Sequence, residues 1–278
     1  MADVDVIRLI GIDVDGTLLD SRGRMPDENR QAIHEAVTRG VHVALVTGRS
    51  YPFARPVADP LPPDVTLIVS NGAIERATDG ATLARRLLPR RVARRVLEST
   101  LAYRAAAALI FDRDQQRQLV SETMDWENPN RKGYWMSNQS LIDRCTPLED
   151  ALTEDPIQIM FNGSVAHMQE VARFLDTNGR EFNVLLTEYE LRDFTLIDVT
   201  APEATKGRAL AWRAAQLGIP REAVMAIGDN FNDMEMLEFA GCPVVMGNAV
   251  QPLKDRGWPV TAPHDEGGLA QAIRHFVL

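Results

Sequence analysis

The sequence predicts an α/β fold: a doubly wound, mostly parallel sheet assembled from two separate chain segments, with an α+β domain inserted between them. Three observations predict it. Strand-like apolar runs alternate with helical patterns at both ends of the chain. Polar residues and glycines collect where each of those runs stops, which in an open α/β sheet is the ligand-binding edge. The middle, from about Thr82 to Asp193, loses the alternation. With 278 residues, 45% of them apolar, the chain has material for one large or two modest domains. The boundaries this reading draws are 1–81 with 194–278 for the core and 82–193 for the insertion.

Val6 to Val14 (VIRLIGIDV) is a β-branched apolar run of strand length, and its continuity marks a strand covered on both faces and central in a parallel sheet. Pro26 and Asp27 open a stretch with Ile33, Ala36 and Val37 at helical spacing, stopped by Gly40, which reads as an amphipathic crossover helix. Val41 to Val46 is a second strand ending at Thr47-Gly48-Arg49-Ser50, and Val65 to Ser70 a third ending at Asn71-Gly72. The insertion mixes arginine-rich and alanine-rich stretches, a loop bearing Trp, Asn and Tyr from Asp125 to Asn138, and a strand candidate at Ile157 to Phe161. Beyond Phe194 to Val199, read as a strand, the alternation resumes. Lys206 to Leu217 is a helix, Ala223 to Ile227 a strand, Phe231 to Phe239 a helix, Pro243 to Met246 a short strand and Leu269 to Phe276 a closing helix.

Composition narrows the function. The acidic N-terminal stretch and the charges that interrupt its apolar run fit neither a signal peptide nor a membrane span, so a soluble cytoplasmic protein is expected. A formal charge of -9 disfavours nucleic acid and anionic membranes as partners, and nothing points to an obligate protein partner. Six arginines between Arg85 and Arg95 read as a solvated face, because no aromatic residues are interleaved with them. Two widely separated cysteines, Cys145 and Cys242, form neither a disulfide framework nor a zinc spacing, and the five histidines show no metal-ligand pattern.

The chemistry concentrates in Asp13-Val14-Asp15-Gly16-Thr17-Leu18, where the first strand leaves the sheet. Residues two apart in an extended chain point the same way, so two carboxylates share one small space, and their repulsion calls for a counter-ion. Mg²⁺ suits this, since it takes a few carboxylate oxygens, keeps waters and binds substrate phosphate. Gly16 permits the tight turn. The pattern arises by chance in a chain of this length on the order of once in a few thousand.

This hexapeptide closely resembles the first motif of the haloacid dehalogenase (HAD) superfamily, whose first Asp is the nucleophile. Thr47 with Gly48 looks like the second motif, which binds the transferring phosphoryl group; Lys206 looks like the third; and Gly228-Asp229-Asn230-Phe231-Asn232-Asp233 looks like the fourth. The resemblance implies a Rossmann-like core and a Mg²⁺-dependent phosphatase. Asp13 would attack phosphorus, and Asp15 would act as acid and then base. Metal ligands would come from Asp13, the Asp15 carbonyl and Asp229, and phosphate ligands from Thr47, Gly48, Lys206 and Asn232, with Asp233 supporting from behind.

The insertion resembles in place and size the class II cap of the Cof-like subfamily, which the segment GDNFNDMEML also matches closely. Members of that subfamily mostly hydrolyse sugar phosphates and similar small metabolites. Arg49, Arg113, Trp126, Tyr134, Trp135 and Tyr189 are the candidates for reading the substrate. The alternatives are a phosphotransferase or phosphomutase using the same aspartyl-phosphate, and a sugar-phosphate sensor without turnover, which would have no need of Asp15.

Overall fold

The computed structural model describes residues 6–113, 116–176, 181–189 and 193–278. Two compact units divide the chain, Met1–Arg85 with Glu203–Leu278, and Arg86–Pro202. In chain order the first opens with β1 (Leu9–Ile12), α1 (Asp27–Thr38), β2 (His42–Val46), α2 (Tyr51–Ala58), β3 (Thr66–Val69), β4 (Ile74–Ala77) and β5 (Thr82–Arg85). The second holds α3 (Arg90–Ser99), β6 (Ala107–Ile110), β7 (Leu119–Ser121), α4 (Pro129–Asn138), β8 (Ile142–Arg144), β9 (Gln158–Gly163), α5 (Val165–Asp176), β10 (Asn183–Tyr189) and β11 (Phe194–Thr200). The chain then returns to the first unit through α6 (Lys206–Gln216), β12 (Val224–Gly228), α7 (Met234–Phe239), β13 (Cys242–Val245), α8 (Gln251–Lys254) and α9 (Gly268–Phe276).

The first unit is built on a seven-stranded sheet ordered β13-β12-β1-β2-β3-β4-β5. Pairing is parallel from β13 to β3 and antiparallel at β3–β4 and β4–β5, so the sheet is mostly parallel, as the alternation predicts. Because β1 lies between β12 and β2, the winding reverses at β1, and the crevice outside its carboxyl end is the topological switch point. Every residue of β1 is buried, and Ile10, Ile12, Leu45, Leu67, Ile68 and Ile227 are fully enclosed. Burial of each such side chain stabilises the fold by about 1.5–3 kcal/mol. Asn29 on α1 is also buried; it donates from Nδ2 to Leu18 O (3.0 Å) and accepts at Oδ1 from Ala270 N (3.1 Å), fastening the loop after β1 to α1 and α9.

The second unit carries a six-stranded sheet ordered β10-β11-β9-β6-β7-β8. The contact boundaries fall at 85/86 and 202/203, where the sequence reading draws 81/82 and 193/194. Two pairings move them. Phe194–Thr200 bonds to β10 and β9 rather than to the core sheet, and Thr82–Arg85 extends the core sheet through β4. Asp125 to Asn138, read as a loop, contains helix α4, started by Pro129 at its first turn and by Asn128, whose side chain caps Asn130 N. Its poor apolar spacing hid it from a periodicity reading. The arginine-rich segment supplies α3, which buries Val92, Ala93, Val96 and Leu97 and pairs Arg91 and Arg95 with Glu181. Among the described residues no helix is long and apolar enough to cross a membrane.

Helix α6 begins where Thr205, its N-cap, accepts at Oγ1 from Arg208 N (3.1 Å). An uncapped helix start leaves its first amides without partners. Thr205→Ala is therefore expected to lower stability by about 1 kcal/mol, and Thr205→Ser to restore most of it. Urea unfolding of the three proteins checks this, as a shift of midpoint at constant slope.

Candidate active site

Four strands of the core sheet deliver polar residues to one edge. Asp13 follows β1, Thr47 follows β2, Ser70-Asn71-Gly72 follows β3, and Asp229 follows β12. The ladder holds past the last residue of β1 and β2, since Asp13 N donates to Ile227 O (3.0 Å) and Thr47 N to Ile68 O (2.9 Å). Both side chains therefore start from rigid backbone. Lys206 reaches the same place from the first turn of α6.

Lys206 Nζ lies 2.6 Å from Asp13 Oδ1 and 2.7 Å from Asp233 Oδ1, with all three side chains buried. The other oxygen of Asp233, Oδ2, accepts from the backbone amides of Asp229 and Asn230, each at 3.0 Å. Asn230 and Asp233 form a capping box at the turn that starts there, so the local GDNFND sequence fixes the direction of Asp233 before any tertiary contact is made. Gly16, at φ 85°, is doubly constrained: the turn needs a left-handed residue, and a Cβ there would overlap Asp229 Oδ2.

Asp13, Asp229 and Asp233 each offer an oxygen within 4.8 Å of the others. Asp13 Oδ2 and Asp229 Oδ1 are buried acceptors with no hydrogen-bond donor. Three carboxylates against one ammonium leave negative charge in excess, and a cluster of this kind with two buried oxygens lacking donors has the chemistry of ligands to a hard divalent cation. The donor set fits one.

Burial, reinforced by the charge of Asp233 and opposed by Lys206, pushes the Asp13 carboxyl up to about 7. Burial with the charges of Asp13 and Asp233 pushes Asp229 up to about 9. For Lys206, burial acts to lower the pKa, but Asp13 and Asp233 outweigh it and hold the ammonium above its ordinary range.

Asp15, expected from its spacing to share one small space with Asp13, is instead far more exposed than Asp13 because Arg49 engages it. Its carboxylate is gripped by Arg49, with Nε to Oδ2 at 2.8 Å and the terminal NH2 to Oδ1 at 2.5 Å, a two-point fork on a side chain that is 58% exposed. Arg49 is thus held by Asp15. Thr47 Oγ1 accepts from Arg49 N (3.1 Å), and Asn232 Nδ2 donates to Asn71 Oδ1 (3.1 Å).

Two residues of this neighbourhood escaped the sequence reading as site residues. Asn71 was visible only as part of a strand-end turn. Asn248, three residues past β13, donates from Nδ2 to Gly16 O (2.9 Å) and Asp229 Oδ2 (3.3 Å) and accepts from His264 N (2.9 Å). An amide just beyond the carboxyl end of a parallel strand was the only available signal.

The remaining candidates belong to the second unit. Arg113 stacks over Phe111 and pairs with Glu154 (2.7 Å). Trp126 and Trp135 stack with centroids 5.3 Å apart, Trp126 within a small apolar cluster that includes Leu119 and Met124. The side chains of Tyr134 and Tyr189 lie outside the described residues.

A carboxyl whose folded pKa exceeds its unfolded value contributes stability that is fully present below the unfolded pKa and is lost as pH climbs through the folded one. For Asp229 that window runs from 3.8 to about 9. In chelator-treated protein, Asp229→Asn should therefore gain in Tm relative to wild type as pH rises from 5 to 9. Differential scanning calorimetry across that range reads it, and a constant difference would refute the assigned charge crowding.

The family model of haloacid dehalogenase-like hydrolases matches residues 10–273. The chain is 31% identical over 99% of its length to a Bacillus subtilis protein named 5-amino-6-(5-phospho-D-ribitylamino)uracil phosphatase YcsE, covering 98% of that protein. It is 28% identical to B. subtilis phosphatase YwpJ, over 98% of this chain and 100% of that one. Among solved structures, a haloacid dehalogenase-like hydrolase from B. subtilis superposes with a TM-score of 0.80 at 24% identity, over 98% of this chain and 100% of that one. With the acidic cluster, its buried lysine and the strand-end motifs all within the matched span, the chain belongs to the haloacid dehalogenase-like hydrolase family and is a phosphatase.

Proposed function

We propose that this phosphatase is a Mg²⁺-dependent phosphomonoester hydrolase that passes the phosphoryl group through Asp13 to water. Its substrates in this reading are small phosphorylated metabolites of the sugar-phosphate class, met in the cytoplasm without an obligate protein partner. The observation that carries the reading is the asymmetry of Asp13: Oδ1 is bonded to Lys206, while Oδ2 is buried with no donor, at the switch point of the sheet. The name of the YcsE relative favours a phosphate on a primary alcohol of a sugar-like chain, which makes 5-amino-6-(5-phospho-D-ribitylamino)uracil the first metabolite to try.

The Asp13 carboxylate, the Asp15 carbonyl and the Asp229 carboxylate would hold Mg²⁺. When bound, the ion offsets negative charge on the acids and on the transferring phosphoryl group. Asp13 attacks phosphorus in line, and the bond from phosphorus to the ester oxygen breaks. Asp15 hands a proton to the departing alcohol. It then takes a proton from the water that cleaves the aspartyl-phosphate, regenerating Asp13 and releasing inorganic phosphate. Lys206 fixes which Asp13 oxygen is engaged and neutralises charge, while the Thr47 hydroxyl, the Gly48 amide and Asn232 orient the phosphoryl oxygens. For these transfers Asp15 has to leave the Arg49 fork, whose two bonds occupy both of its oxygens.

The test is release of inorganic phosphate from p-nitrophenyl phosphate with and without Mg²⁺. Chelation is expected to abolish release, Asp13→Asn to remove it, and Asp15→Asn to reduce kcat roughly 10²–10⁴-fold. Full activity of purified Asp13→Asn would sink the proposal. Appearance of a new phosphate ester in place of free phosphate would point instead to a transferase or mutase.

A further inference from the structure

The corner Ser70–Gly72 has no part in the chemistry above, yet it touches three segments that do. Ser70 and Asn71 both take left-handed backbone, with φ of 50° and 53°, and Gly72 follows at φ 96°. Side chains with a Cβ rarely adopt that region, and two in succession require support from their surroundings. The support is visible. Ser70 N donates to Arg49 O (2.8 Å) and Asn71 N to Thr47 O (3.0 Å), so the corner is clasped to the loop after β2.

Gly72 presses on the start of α6, where a Cβ would collide with the carbonyl of Thr205, the residue before Lys206. Asn71, 2% exposed, accepts at Oδ1 from Asn232 Nδ2 (3.1 Å). Its side-chain amide also backs Gly48 so closely that a Cβ there would sit 3.2 Å from Oδ1.

We propose that Asn71 is a positioning residue for the phosphoryl-binding site, setting the direction of the Asn232 amide and the seat of the Thr47-Gly48 loop. The proposal rests on the reading of Thr47, Gly48 and Asn232 as phosphoryl ligands. An amide nitrogen carries two hydrogens. With one committed to Asn71, the other is held in a single direction, as a preorganised donor requires. Among residues with a Cβ, Asn tolerates the left-handed conformation well and also supplies this acceptor.

A turn residue without a positioning role would be replaced by glycine at no loss, since glycine favours positive φ. That contrast defines the test. Full-length wild type, Asn71→Gly, Asn232→Ala and the double variant are compared in two assays: steady-state hydrolysis of p-nitrophenyl phosphate, and the rise in Tm caused by orthophosphate with Mg²⁺. Asn71→Gly is expected to keep its ligand-free Tm, to lose roughly 10–100-fold in kcat/KM, in line with the cost of a small misplacement, and to lose most of the orthophosphate shift. Because part of the Asn71 effect runs through Asn232, the double variant should lose less than the product of the two single effects.

A kcat/KM within twofold of wild type, an intact orthophosphate shift, or multiplying single effects would each overturn the proposal. Should the wild type release no phosphate at all, the phosphatase reading fails, while the orthophosphate shift still decides the role of Asn71.

Discussion

The site depends on one buried ammonium. Lys206 Nζ sits between Asp13 and Asp233, within 2.7 Å of both, in a pocket closed to solvent. Acids packed this closely repel one another, and burial raises that cost by removing the water that would screen it. A buried ion pair of this kind is weak evidence for stability in itself. Its effect is to choose a geometry: one oxygen of Asp13 is occupied, and the other is buried without a donor.

Around that ammonium the fold arranges rigid approaches from different directions. Asp13 and Thr47 stand on backbone still bonded into the parallel ladder, and Asp233 is aimed by its own capping box. Lys206 comes from a helix start capped by Thr205. Sites on strand and helix termini are held more tightly than sites on free loops, because the neighbouring backbone bonds leave little room to move. Asn248 and Gly16 act on Asp229 in the same sense, one by bonding its Oδ2 and the other by leaving space for it.

The pair formed by Asp15 and Arg49 contrasts with this rigidity. It lies towards solvent, where an ion pair adds little stability and can exchange partners at small cost. Both oxygens of Asp15 accept from Arg49, which favours the ionised carboxylate. Two carboxylates two residues apart thus stand in different surroundings, one buried against Lys206 and one exposed beside Arg49.

Much of the core was legible in the sequence because its signals are local. The apolar runs marked β1, β2, β3 and β12, and the Asp13, Thr47 and Gly228–Asp233 segments stood where those runs end. The resemblance of these motifs to a known family pointed to the family that the comparisons show. The insertion was less legible: α4 lacks apolar periodicity, and the pairing of Phe194–Thr200 with β9 and β10 depends on which distant strands present a free edge. By itself, then, the sequence determined the alternating core, the strand-end motifs and the chemical types of the site residues. Only the tertiary structure decided that Lys206 is shared between two acids, that Arg49 holds Asp15, and that Asn71 and Asn248 join the site, because those contacts link segments up to 232 residues apart that no local pattern encodes.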